Sequence, residues 1–316
     1  MKKRALAILT MVLTGFNVYA QNVVWPAENI KLLTSEWTGE RLPDGRPKVS
    51  DDLLERLKSL SMEEVWSTLR SEGYENQFEN FASIYENGWE IIHPEKVMTG
   101  RVVTAQFMPL RKDFDKYVQA QAEKEGTKTP VTNYAPIIKL TDGDVYVADS
   151  YGKIENGTLI GDNLANAIYN KGKRGIIFNG SVRDVEGLSE IEGFNGWIRG
   201  TDPSAIGQMM CATVNAPIRI GRVTVLPGDV VLAKKYGVIF IPAQLVEDLV
   251  ITSEVTALRD EFGHLRLREG KYKPGQIDSQ WSDEIKKDFM NWLNNYPGKL
   301  PMTKAELDNY FKDRNW

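Results

Sequence analysis

A chain of 316 residues with 39 Lys+Arg against 43 Asp+Glu carries a formal net charge of -4, and so offers no basic field of the kind that nucleic-acid-binding domains present. One cysteine and two histidines exclude an intramolecular disulfide framework and a cysteine-built zinc site, and leave little for a His-rich metal centre or a Ser-His-Asp triad. Hydrophobic residues at 42% and charged ones at 26% are the composition of a folded globular chain, so any chemistry falls to carboxylates and arginines.

The N-terminus reads first as an address. Lys2, Lys3 and Arg4, the apolar run from Ala5 to Leu13 broken by Thr10, and Val18-Tyr19-Ala20 before Gln21 have the layout of a cleaved signal peptide over 1–20. The apolar core is shorter than the about 20 residues a membrane-spanning helix needs. The expectation is a soluble periplasmic or secreted protein with neither a membrane nor a nucleic acid as partner. Residues 21–48 form a polar, turn-rich arm around Leu42-Pro43-Asp44-Gly45-Arg46-Pro47. The domain proper is expected over 49–250. Leu53, Leu54, Leu57 and Leu60 behind Ser50 predict a helix, and Ser61 with Glu64 is a capping box opening a second helix that Gly73 stops.

Strands follow at Gly100 to Phe107 and at Gly143 to Asp149. Between them Lys112 to Lys128 is charged and helix-prone, an exposed helix or an inserted loop. Asp162 to Lys171, closed by Gly172, is a helix running into a buried strand at Gly175 to Phe178, the unit of an α/β fold. Ile218 to Val225 is a hairpin around Gly221, and strands follow at Pro227 to Ala233 and Gly237 to Pro242. Gly-Asp-Val-x-x-Ala occurs at 143–148 and again at 228–233, a recurring turn-to-strand device. Helix is expected from Ala243 to Phe262, and 251–316 form a helical extension. In it Trp281, Ile285, Phe289, Trp292 and Leu293 line one helix face, and Thr303 with Glu306 caps a last helix. That face packs on its own domain or on a second subunit.

Two polar stretches stand where α/β folds place sites. Gly161-Asp162-Asn163-Leu164 lies at a helix N-terminus, where free N–H groups and the positive dipole end favour a carboxylate. Asn179-Gly180-Ser181-Val182-Arg183-Asp184 follows directly on a buried strand. There Arg183 can grip a carboxylate or an enolate oxygen, and Asp184 a divalent cation. On spacing alone, a helix cap for Asp162 and a structural ion pair between Arg183 and Asp184 remain open. Cys211 reads as a small buried hydrophobe, and His93 and His264 as structural or solvated.

Taken in order, Gly161 to Ala165, Gly175 to Asp184, Arg199-Gly200-Thr201, the Gly221 hairpin, Pro227 to Val230 and Gly237 to Pro242 resemble the RraA-like family. This family comprises 4-hydroxy-4-methyl-2-oxoglutarate/4-carboxy-4-hydroxy-2-oxoadipate aldolases and regulators of RNase E. The resemblance implies an α/β fold with a swivelling β/β/α domain, assembled as trimers or hexamers with sites at subunit interfaces. It implies a magnesium or manganese ion on Asp184, and Arg183 binding the oxo acid and stabilising a pyruvate enolate. Gly161 to Leu164 would receive the substrate carboxylate, with Asp162 near the reacting groups. A glutamate of a neighbouring subunit's C-terminal helix, Glu254 or Glu261, would complete the metal shell. The implied activity is cleavage of 4-hydroxy-2-oxo acids to pyruvate, with oxaloacetate decarboxylation through the same enolate. Competing readings are a secreted lyase acting on another substrate such as an oxidised sugar acid, and a non-catalytic ligand-binding relative. The departures from the family pattern are Asn179 where many members have Asp, the inserted Lys112 to Tyr134 segment, and the long tail.

Overall fold

A computed structural model describes residues 22–80, 88–128 and 130–314; segment 1–20, expected to be a signal peptide, lies outside them. The arm is folded onto the domain. Val24 bridges Val214, helix α1 (Ala27–Leu33) follows, and Arg46 is fully buried. Its guanidinium donates to Asp144 Oδ2 at 2.8 Å and to Asp44 Oδ2 at 2.8 Å. Burial opposes its charge, but the two carboxylates outweigh that and raise its pKa. Helices α2 (Asp51–Leu57) and α3 (Met62–Ser71) start where expected, Ser50 and Ser61 each accepting a first-turn amide, with the full capping box at Ser61 and Glu64.

The strands are β1 (Phe78–Asn80), β2 (Glu90–Ile91) and the long β3 (Met98–Pro109). Helices α4 (Lys112–Lys124) and α5 (Tyr134–Lys139) come before β4 (Asp144–Asp149). Then follow α6 (Asp162–Gly172), β5 (Gly175–Val182), α7 (Val185–Ser189), β6 (Asn195–Thr201) and β7 (Met209–Val214). The β8 (Ile218–Ile220) and β9 (Val223–Val225) hairpin precedes β10 (Val230–Lys234) and β11 (Gly237–Ile241). A nine-stranded mixed sheet runs β1-β11-β10-β3-β4-β5-β6-β2, with β7 also on β3. The β3-β4, β4-β5 and β5-β6 pairs are parallel. All six residues of β4 are buried, as expected of a parallel strand covered on both faces.

This mixed α/β architecture with C-terminal helices is the expected fold class. Two local readings are refined. The 112–128 segment is a helix over Lys112–Lys124 and not a free loop; its Val118 and Ala122 are buried in the core with Phe107 and Val131. The left-handed residue that ends α6 is Lys173 rather than Gly172. The repeated Gly-Asp-Val device has a common physical basis. In both copies the aspartate accepts the amide three residues earlier, Thr141 N to Asp144 Oδ2 and Leu226 N to Asp229 Oδ2, each at 2.8 Å.

The long helix α8 (Val246–Arg268) runs unbroken through residue 250, and α9 (Pro274–Ile277), α10 (Asp283–Asn294) and α11 (Lys304–Asp313) fold back on it. Val255, Leu258 and Phe262 of α8 receive Trp281, Ile285, Phe289 and Leu293. The apolar face of the tail is therefore covered within its own chain.

Replacing Arg46 by alanine leaves buried Asp144 with only the longer contact to Arg101 Nε at 3.6 Å and is expected to cost about 3 kcal/mol in denaturant unfolding. A loss below about 1 kcal/mol would show the pair to be dispensable. Burial pushes the Asp229 carboxyl from 3.8 up to about 7, with only the Leu226 amide opposing it. Between those values the folded state holds a proton that the unfolded state has released, so stability falls as pH rises through that window. Asp229→Asn is expected to flatten this fall when unfolding midpoints are compared at the two ends of the window.

Candidate active site

The parallel strands deliver the two sequence stretches to the same place. After β4 the chain returns alongside the end of β5: Thr158 bridges Ser181 in parallel, Leu159 N donates to Ser181 O at 3.0 Å, and Arg183 N donates to Ile160 O at 3.0 Å. Gly161, the N-cap of α6, therefore lies against Arg183 and Asp184. An added Cβ at Gly161 would stand 2.3 Å from Asp184 Oδ2 and 3.0 Å from Arg183 Nε, so a side chain there would push those two groups aside. Gly187 on α7 makes the complementary close approach, its position lying 2.9 Å from Asp162 Cβ for an added methyl.

Asp184 adopts the left-handed conformation, φ 56° and ψ 43°, as the N-cap of α7, which aspartate tolerates better than most residues. Its Oδ2 is 3.3 Å from Arg183 Nε, and the two side chains are 42% and 45% exposed. A pair this open is weak as a structural element and leaves carboxylate lone pairs and guanidinium donors for a ligand. Asp162 caps its own neighbour, Asn163 N donating to Asp162 Oδ1 at 2.7 Å.

Gly161, Asp162, Asn163, Leu164 and Arg183 line one cleft of about 280 Å³. The structure thus brings together the predicted substrate-binding residues, with Asp184 at their edge. The cleft also has lining residues that sequence reasoning missed: Asn133, Tyr134, Ala205 and Ile206. The hydroxyl of Thr158 donates to Ser204 O and ties the segment of Ala205 and Ile206 to the β5 edge. Asn179 is turned to Asp149, its Nδ2 donating to Oδ1 at 2.7 Å.

The two C-terminal glutamates part company. Glu254 is 2% exposed and takes a bidentate clasp from Arg56 at 2.7 and 2.9 Å. Arg56 also donates to Glu306 Oε1 at 2.8 Å, so Glu254 is committed to tying α8, α2 and α11 together. Glu261 is exposed and accepts from the Tyr296 hydroxyl at 2.8 Å. Among the described residues no three His, Cys, Asp or Glu side chains converge. A hydrated magnesium ion does not need three, since it commonly uses one or two carboxylates plus waters and substrate oxygens. The half-exposed Asp184 suits that mode. Cys211 is buried, and burial raises its thiol to about 12, which removes it as a nucleophile. No helix among the described residues is long and apolar enough to cross a membrane.

Comparison with known proteins points the same way. The profile of the RraA-like family, described as Aldolase/RraA, matches residues 49–240. The 4-hydroxy-4-methyl-2-oxoglutarate aldolase of Thermus thermophilus is 31% identical over 100 residues, 32% of this chain and 60% of that protein. Protein DlpA of Legionella pneumophila is 27% identical over 221 residues, 66% of this chain and 31% of that one. The chain thus spans less than two thirds of the length of either relative. The crystal structure of RraAS2 from Streptomyces coelicolor, described as an unusual member of the RNase ES inhibitor RraA protein family, superimposes with a TM-score of 0.56. It is 25% identical and covers 69% of this chain and 100% of its own.

Because a Cβ at position 161 would crowd the Asp184 and Arg183 side chains, Gly161→Ala is expected to displace them by about an ångström and to weaken binding of oxalate, a small dicarboxylate probe, by about tenfold or more. Calorimetric titration checks this, with thermal unfolding as the control for folding. Unchanged oxalate affinity in the folded variant would show that the close approach does not shape the site.

Proposed function

The chain belongs to the RraA-like family, and from that premise we propose that it is a lyase of the aldolase type, cleaving 4-hydroxy-2-oxo acids to pyruvate at the Arg183–Asp184 cleft. The observation that carries this is a cleft of about 280 Å³ lined by an exposed arginine and a helix N-terminus, with an exposed aspartate 3.3 Å from that arginine. The naming of relatives as 4-hydroxy-4-methyl-2-oxoglutarate aldolase supports the reaction class.

In this reading the first turn of α6, Asp162 to Leu164, receives the substrate carboxylate on backbone N–H groups at the positive end of the helix dipole. Arg183 reaches the 2-oxo oxygen, where negative charge develops as the C3–C4 bond breaks, and stabilises the pyruvate enolate by charge-assisted hydrogen bonds. Asp162 takes the proton of the C4 hydroxyl as general base, C4 becomes a carbonyl, and the enolate is protonated at C3. Asp184 would hold a divalent cation, magnesium or manganese, which when bound polarises the 2-oxo carbonyl. Oxaloacetate decarboxylation leads to the same enolate and is the expected side activity.

The proposal extends to assembly as a trimer or hexamer. Of the two glutamates considered for a neighbouring site, Glu261 has the accessible carboxylate, whereas Glu254 is held by Arg56. Location outside the cytoplasm, with the leader removed, belongs to the same reading.

Pyruvate release from a panel of 4-hydroxy-2-oxo acids and oxaloacetate tests the proposal. Turnover is expected with magnesium or manganese and is expected to vanish with EDTA. Asp184→Asn should abolish it, and Arg183→Ala should lower kcat and raise KM together, by about 100-fold or more in kcat/KM. Full activity in both folded variants would place the site elsewhere.

A further inference from the structure

The cleft in front of Arg183 is electrostatically lopsided. Arg183 is the single cation and Asp162 the single acid among its lining residues. The same lining includes Leu164, Ala205, Ile206 and Tyr134. Tyr134 is 55% exposed, and its hydroxyl has no hydrogen-bond partner among the described residues, although the segment that carries it is firmly held. Gln119 of α4 clasps Val131 from both sides, Val131 N donating to its Oε1 at 2.8 Å and its Nε2 donating to Val131 O at 3.0 Å. Asn133, buried, donates from Nδ2 to Leu159 O at 2.6 Å, which fastens the start of α5 to the strand segment leading into Gly161. The exposed ring of Tyr134 is one of the cleft's lining groups.

We propose that Tyr134, positioned by α4 through Gln119 and Asn133, is the specificity-determining residue of this site, selecting 4-hydroxy-2-oxo acids with a single carboxylate and an apolar or aromatic substituent at C4. This rests on the aldolase reading above and narrows its substrate class. The one carboxylate uses the α6 N-terminus and the enolate oxygen uses Arg183. A second carboxylate on C4 would find no lining cation besides Arg183, and a charge that loses water without gaining a partner is disfavoured. An aromatic or aliphatic substituent instead gains contact with the ring. The bond that breaks is C3–C4: the C4 hydroxyl loses its proton, the C4 fragment leaves as an uncharged aldehyde or ketone, and C3 of the enolate takes up a proton to give pyruvate. A reaction that uses an apolar carbonyl compound is therefore the class that follows this one.

The test compares 4-hydroxy-2-oxo-4-phenylbutanoate with 4-hydroxy-2-oxoglutarate as substrates of the whole protein, with magnesium present. The phenyl substrate is expected to have the higher kcat/KM by about tenfold or more, a difference typical of one well-filled apolar contact against an unpaired polar one. Tyr134→Ala should collapse that ratio, chiefly through KM for the phenyl substrate, whereas Tyr134→Phe should keep it. Tyr134→Arg supplies a second cation and should turn the preference toward the dicarboxylate. An equal or reversed preference in the unmodified protein, or a ratio that Tyr134→Ala leaves unchanged, overturns the inference. Oxaloacetate separates it from its premise. Pyruvate from oxaloacetate together with preference for the dicarboxylate would sink the specificity alone, and no pyruvate from any of the three substrates would sink both.

Discussion

The candidate site depends on one close approach: the chain after β4 lies beside the end of β5, so that a Cβ at position 161 would run into the Asp184 and Arg183 side chains. That approach joins three things that are weak separately. A helix N-terminus alone is a common feature, an Arg-Asp pair on a surface contributes little stability, and a left-handed aspartate is a mild strain. Held together at the carboxyl ends of parallel strands, where open α/β sheets gather their ligand sites, they form one anion-binding corner with a carboxylate at its edge.

The sheet and the tail support that corner from a distance. Strand β3 pairs with β10 and β7 on one side and with β4 on the other, so it links the antiparallel part of the sheet to the parallel part that bears the site. The buried Arg46–Asp144 pair fastens the N-terminal arm at the start of β4. Arg56 joins α2 to Glu254 and Glu306, so the C-terminal helices are anchored by charge as well as by the Phe262 cluster. In Glu306 burial opposes ionisation, but Arg56 and the Thr303 cap outweigh it and bring the carboxyl down to about 2, so that anchor keeps its charge at ordinary pH.

Much of this was legible in the residues. Local signals are strong where the physics is local: Ser50, Ser61 and Thr303 cap helices because their oxygens reach first-turn amides, and the Gly221 turn allows the β8-β9 hairpin. The Gly161 and Arg183 stretches stood out because each lies at an element end, and the fold sets them in one cleft. What escaped is tertiary. Arg46 sits in turn-rich, polar sequence, yet it is buried because Asp144 lies 98 residues away in sequence and beside it in space. Glu254 resembles Glu261 on paper, and only the fold shows Arg56, 198 residues distant, claiming it. The charges of α4 concealed Val118 and Ala122, and nothing in a local pattern announces that Asn133 and Tyr134 line the same cleft as Arg183.

The central claim is that Gly161, Arg183 and Asp184 form one ligand site. Its most direct test is a crystal structure of the protein grown with magnesium and oxalate, a planar mimic of pyruvate enolate. The account predicts oxalate oxygens on Arg183 and on the first-turn amides of α6, with the cation at Asp184. Oxalate bound elsewhere, with Arg183 and Asp184 still paired only to each other, would contradict it.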